Sequence, residues 1–250
     1  MQENQYQSNA TATRAGAAVD EGLRSHMLGI YNYMASGVAF TGIISYLTFS
    51  MATVVADGKV VGLTQLGQAL YASPLAYVLM FAPLAFVLVL SFGLHKLSVG
   101  ATHAAFWAFA AVMGVSISSI FIRFGMGSIT QIFFVTAAAF AGLSAWGYAT
   151  KKDLSGWGSF LIMGVVGIII AAIVNIFLQS SALGFAISAI TVLVFAGLTA
   201  YDTQRLKDEF LHIRHDATAV AKASIMGALS LYLDFINMFL ALLNLFGSND

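Results

Sequence analysis

The stretch ASIMGALSLYLDFINMFLALLNLFGSN, residues 223–249, carries a single charge, Asp234. A run of this kind reads as a membrane-spanning helix, because about 20 apolar residues at ~1.5 Å each cross ~30 Å of hydrocarbon. An ionisable side chain inside such a span is costly, so it faces a protein interior or a water-filled path and has a partner. A second carboxylate, Asp202, closes the preceding apolar run at Ala200-Tyr201-Asp202. Two acids on neighbouring membrane helices point to proton or cation handling.

The rest of the chain agrees with a membrane setting. It is 59% hydrophobic and 9% charged, with a mean hydropathy of +0.86. Soluble domains carry roughly 25% charged residues, so this chain has too little polar surface to cover a globule in water. Its formal net charge is zero, and no basic field argues for nucleic acid. The absence of cysteine excludes disulfides, thiolate metal sites and cysteine nucleophiles. Residues 1–27 include Glu3, Arg14, Asp20, Glu21, Arg24 and His26, which is not the pattern of a cleavable signal peptide. They read as a polar cytosolic tail leading into a transmembrane domain over 28–250.

Seven apolar runs are long enough to span: Gly29–Ala56, Pro74–Leu94, Val99–Ile122, Ser128–Thr150, Trp157–Leu178, Ala182–Tyr201 and Ala223–Phe246. The longer breaks are Asp57 to Ser73 and Asp202 to Lys222, and a kink at Pro83 is expected in the second span. With the N-terminus inside, one side holds Arg14, Arg24, Lys96, Lys151, Lys152, Arg205, Lys207, Arg214 and Lys222. The other holds only Lys59 and Arg123, and together these are all eleven basic residues. That bias places the N-terminus in the cytosol and the C-terminus outside, and an odd number of spans agrees. Small residues such as Ala110, Gly114 and Ser118, or Ala196 and Ala200, suit close helix packing. His103 reads as a hydrogen-bonded residue near the interface, and His212 and His215 as part of a solvated charged loop.

Two segments, Ala200-Tyr201-Asp202-Thr203-Gln204 and Leu229-Ser230-Leu231-Tyr232-Leu233-Asp234-Phe235-Ile236-Asn237, resemble the most characteristic pieces of the transmembrane Bax inhibitor motif family. Thr150-Lys151-Lys152-Asp153 and, more weakly, Asn175-Ile176-Phe177 add to the likeness, which covers nearly the whole chain after residue 25. The resemblance implies an all-α membrane fold with six helices around a central seventh. It implies a pH-sensitive calcium leak across the membrane, with Asp202 and Asp234 side by side as the sensor near a cytosolic gate. The same aspartates become the candidate Ca²⁺ ligands, with no resident cofactor. Some bacterial relatives have an arginine at the inner end of the second span that can pair with the acids. The matching position here is His95, followed by Lys96, and a histidine, with an unperturbed pKa of about 6.5, could itself titrate in the physiological range.

The chemistry of a carboxylate pair is consistent with that role. Two such groups in a low-dielectric site cannot both ionise cheaply, and their protons come off in steps that belong to the pair. Sharing one proton, they could latch the last two helices together; ionised, they repel and offer hard oxygen ligands to Ca²⁺. An intramembrane aspartyl protease is the enzymatic alternative. It is disfavoured, because Leu231-Tyr232-Leu233-Asp234 lacks a Gly-x-Gly-Asp approach and the only prolines are Pro74 and Pro83. A third reading is a regulator that binds a membrane-bound partner such as an ATP-dependent protease through the polar tail. The compact loops lean towards a bacterial inner membrane.

Overall fold

The computed structural model describes residues 2–56, 59–93 and 97–248, with the backbone alone over 2–18 and 89–93. A long helix, α1 (Gln2–Ala52), leads into a hairpin of β1 (Thr53–Ala56) and β2 (Lys59–Leu63). A short helix α2 (Gln65–Tyr71) and α3 (Leu75–Gly93) follow, then α4 (Val99–Ile117) and a single turn, α5 (Ile120–Arg123). The chain ends in α6 (Met126–Ala149), α7 (Ser155–Leu178), α8 (Ser181–Ile213) and α9 (Ala217–Phe246). Among the described residues, six helical segments are long and apolar enough to cross a membrane; α2 and α3, bent by 61° at their junction, together form a possible seventh. The bend falls at the break over residues 72–74, which includes Pro74, while α3 continues through Pro83 without a break.

Three boundaries differ from the sequence reading, each for a physical reason. The first helix does not begin at Gly29: Leu23, Met27 and Ile30 recur at helical spacing and are buried, so part of the stretch read as a tail belongs to the core. Thr53–Ala56, read as the end of the first span, is strand β1. The loop expected from Asp202 to Lys222 is mostly helix, because α8 runs to Ile213. Polar residues end an apolar run, but Gln204, Arg205, Leu206, Lys207 and Glu209 are good helix formers. Leu206 and Phe210, four apart, are buried and hold the extension against the rest of the molecule. Only Arg214, His215 and Asp216 separate α8 from α9, and Asp216 caps the latter by accepting from the amides of Thr218 (2.9 Å) and Ala219 (3.0 Å).

The last helix lies at the centre. In its most apolar window 67% of residues are buried, against at most 33% in any other candidate span. It packs on α1, α4, α6 and α8. Tyr232, fully buried against Phe106 and Phe109, is the largest side chain in that contact. Thr41 gives its only proton to the Ala110 carbonyl (2.9 Å), so the Tyr232 hydroxyl donates to Thr41 Oγ1 (2.7 Å).

Contacts fix the helix directions. His103 meets Tyr33, Phe106 meets Gly37, Ala110 meets Thr41 and Gly114 meets Ile44, so α1 and α4 run parallel. His26 with Ser224, Ile30 with Gly227 and Thr41 with Tyr232 make α1 and α9 parallel as well. Between α8 and α9 the order reverses, with Leu206 on Gly227 and Arg205 on Ser230. That antiparallel register brings Asp202 level with Asp234.

Candidate functional site: a buried acid pair on the last two helices

Asp202 lies well inside α8, not at its end, and Asp234 lies in the middle of α9; both are buried. Asp202 Oδ1 accepts from Arg205 Nε (3.1 Å) and Nη2 (3.0 Å), one helical turn further along. The same Nη2 donates to Ser230 Oγ across the helix interface (3.3 Å). Arg205 therefore ties the acid of α8 to the helix that carries the second acid. It is the only ion pair among the described residues. Asp234 is 3% exposed, and its Oδ2 has no hydrogen-bond partner among the described residues. Asp202 and Arg205 are close enough for both charges to act on it.

The structure thus brings the two predicted acids together. His95, the predicted auxiliary residue, lies outside the described residues. The cation beside Asp202 is Arg205, which the sequence reading counted only towards topology. Its signal was present, since residues three apart on a helix are neighbours, but it was hidden by ending the helix at Tyr201.

The segments around the acids are explained residue by residue. Tyr201 rests against Gly158 of α7. Thr203 donates to the Thr199 carbonyl (2.8 Å), so the chain of hydroxyls leading to it is ordered: Tyr31 donates to Ser144 (2.6 Å) and Ser144 to Thr203 (2.8 Å). Gln204 clamps the link between α6 and α7, accepting from the Leu154 amide and donating to the Lys152 carbonyl, both at 2.8 Å. In that link Asp153 caps the start of α7. Hydrogen bonds from Ser155, its side chain first and then its amide (2.8 Å), hold the exposed Asp153 carboxylate below the usual range. At the far end of α7, Asn175 Oδ1 accepts from the Ser180 amide (3.0 Å) and secures the turn at Gln179, where φ is 51°. Asn237 donates to the Leu233 carbonyl one turn back (2.8 Å).

His103 accepts or donates at Nδ1 to the Tyr33 hydroxyl (2.6 Å), a hydrogen-bonded histidine as expected. His212 lies in the last turn of α8 rather than in a loop, and His215 in the turn that follows. No cluster of three or more metal-binding side chains occurs among the described residues.

A family profile described as "Inhibitor of apoptosis-promoting Bax1" matches residues 23–250, which include both acids. The chain belongs to the Bax inhibitor family. An uncharacterized protein of Caulobacter vibrioides is 45% identical over 250 residues, covering 98% of this chain and 96% of that one. The inner membrane protein YbhL of Escherichia coli is 42% identical over 229 residues, 91% of this chain and 93% of YbhL. An uncharacterized membrane protein of Streptococcus pyogenes is 32% identical over 237 residues, 92% of this chain and 96% of its own. The Bax inhibitor protein described here is accordingly a multi-pass protein of the bacterial inner membrane.

Proposed function

We propose that this Bax inhibitor protein is a pH-sensitive cation leak, with Ca²⁺ as its leading candidate ion, gated by Asp202 and Asp234. The observation that carries the reading is the Asp234 carboxylate. It is buried in the most enclosed helix, one of its oxygens has no partner among the described residues, and Asp202 is level with it on the adjoining helix. An ionised group so placed is destabilising unless it is neutralised.

In the closed arrangement the pair shares one proton and Arg205 neutralises Asp202. Removing the proton leaves two negative charges in a low-dielectric site, where like charges repel strongly. The repulsion is relieved if α8 and α9 separate or a cation enters. Ca²⁺ favours 6–8 oxygen ligands, so two carboxylates suit passage better than storage. A cleft of ≈ 420 Å³ between α7 and α8, lined by Ser155, Tyr201, Gln204, Arg205, Asp208, Glu209 and His212, passes Arg205. It serves as the vestibule, with Arg205 on its wall.

The expected orientation is N-terminus in the cytosol and C-terminus outside, with α2 and α3 forming one crossing. The parallel course of α1 and α9 supports an odd number of spans, and the distribution of Lys and Arg supports the sign. The vestibule then opens to the cytosol.

The test is Ca²⁺ entry into liposomes holding the purified protein, from about pH 6 to about pH 8. The parent should show a pH-dependent flux, and Asp202→Asn or Asp234→Asn should change its size or flatten its pH dependence. A parent that admits no more Ca²⁺ than protein-free liposomes at every pH overturns the leak. The function then moves to binding a membrane partner, such as an ATP-dependent protease, through the N-terminal segment.

A further inference from the structure

A second feature of the molecule shares no residue with the acid pair and is independent of the leak. Between α1 and α6 runs a crevice of ≈ 640 Å³. The two helices are joined by the Tyr31–Ser144 hydrogen bond but do not otherwise pack closely. Met34 and Phe140 form its buried floor, and Ala35, Ala141 and Ala145 are too small to close its sides. Both helices are candidate membrane spans, so the crevice opens sideways into lipid.

One end of this apolar crevice is basic. Arg24 lines it and makes no ion pair among the described residues. Lys207 is not part of the lining but touches the lining residue Tyr148, its Nζ 5.6 Å over the Tyr148 ring and donating to the Tyr148 carbonyl (3.2 Å). Among the described residues no carboxylate lines the crevice to balance them. Two turns deeper on α1, on the same face as Arg24, Asn32 is exposed, and its amide has no side-chain partner among the described residues. A polar side chain left bare at membrane depth is costly, so this position calls for an acceptor or donor from outside the protein.

We propose that this crevice is a binding site for one anionic phospholipid. Its phosphate sits between Arg24 and Lys207, where charge-assisted hydrogen bonds are strong. Its ester region meets Asn32, and one acyl chain lies over Met34 and Phe140. A zwitterionic lipid fits the floor equally well but gains less at the basic end, so the site discriminates by headgroup.

The experiment is native mass spectrometry of the delipidated full-length protein offered phosphatidylglycerol or phosphatidylcholine of equal chain length. Free glycerol phosphate forms a third arm. The parent should retain a single phosphatidylglycerol at least tenfold more strongly than phosphatidylcholine. Arg24→Gln combined with Lys207→Gln should remove that preference, and Ala141→Trp, which fills the crevice, should abolish retention of both. Melting temperatures in lipid-free detergent show whether each variant is folded; if Ala141→Trp is not, the charge variant alone decides. Equal retention of the two lipids by the parent, or an undiminished preference in the charge variant, overturns the proposal and leaves only annular contact. Competition by free glycerol phosphate without the acyl chain overturns it in favour of a simple anion site. None of these readouts depends on Ca²⁺ flux, so this site and the leak stand or fall separately.

Discussion

Arg205 holds Asp202 from three residues away on the same helix and reaches Ser230 on the next. A charge-assisted contact is worth about 1.5–3 kcal/mol, and the 43% exposure of the arginine side chain places this one at the lower end. Arg205→Gln takes a positive charge away from the acid pair, so the pH at which the leak turns on should move up by about one unit, the equivalent of ~1.4 kcal/mol. Liposome flux across a pH series would read this as a lowered leak at neutral pH, and an unchanged pH dependence would remove Arg205 from the gate. Gln204 has a purely structural part, satisfying an amide and a carbonyl of the 150–154 link. Gln204→Ala strands the Leu154 N–H in a buried position, at a cost of about 1–3 kcal/mol. The expected result is a lower melting temperature and faster tryptic cleavage after Lys151 and Lys152. At this scale the acids were legible because a charge in an apolar run has no solvated alternative. The partners of Asp202 and Gln204 were not, because a side chain's partner depends on what the fold places opposite it.

At the scale of elements, α6 meets α8 through a glycine. A Cβ on Gly147 would collide with the backbone of Ala200, which cannot move without shifting the helix. On Gly227 it would meet the end of the Leu206 side chain at 2.6 Å, an atom that can rotate away. Overpacking costs typically about 1–3 kcal/mol, so Gly147→Ala should lie at the upper end and Gly227→Ala well below it. Melting temperatures of the two variants in the same detergent check the order, and the reverse order would contradict the packing described. Helices α1 and α8 both outrun their apolar segments, and the reason is shared. His26 stacks on Phe210 with ring centroids 4.7 Å apart, so the two polar extensions support each other at one end of the bundle. Hydropathy marks where a helix leaves hydrocarbon, not where its hydrogen bonds end.

For the molecule as a whole, the direct packing of α1 on α4 in parallel requires the chain to return between them, and in the proposed topology α2 and α3 do so. The hairpin at 53–63 and the turn at 214–216 should then lie on opposite sides of the membrane. The natural chain has no cysteine, so Val61→Cys and His215→Cys can each be tested alone. A membrane-impermeant thiol reagent should label Val61→Cys in intact cells and His215→Cys only after lysis. Labelling of both from the same side would mean that α2 and α3 do not cross.

The sequence by itself determined the membrane setting, the number of apolar runs and the two acids that do not belong in them, because each depends on the local cost of placing a residue in hydrocarbon. It determined the family as well, through segments that surround those acids. The family resemblance implied a central last helix and paired acids, but only the tertiary structure showed how α9 is enclosed, how Asp202 comes level with Asp234, and that Arg205 is the counter-ion. These depend on helix direction, crossing and register, which arise from contacts such as Leu206 on Gly227 and Tyr232 on Thr41. Such contacts join residues far apart in the chain, and no local property of either partner specifies the other.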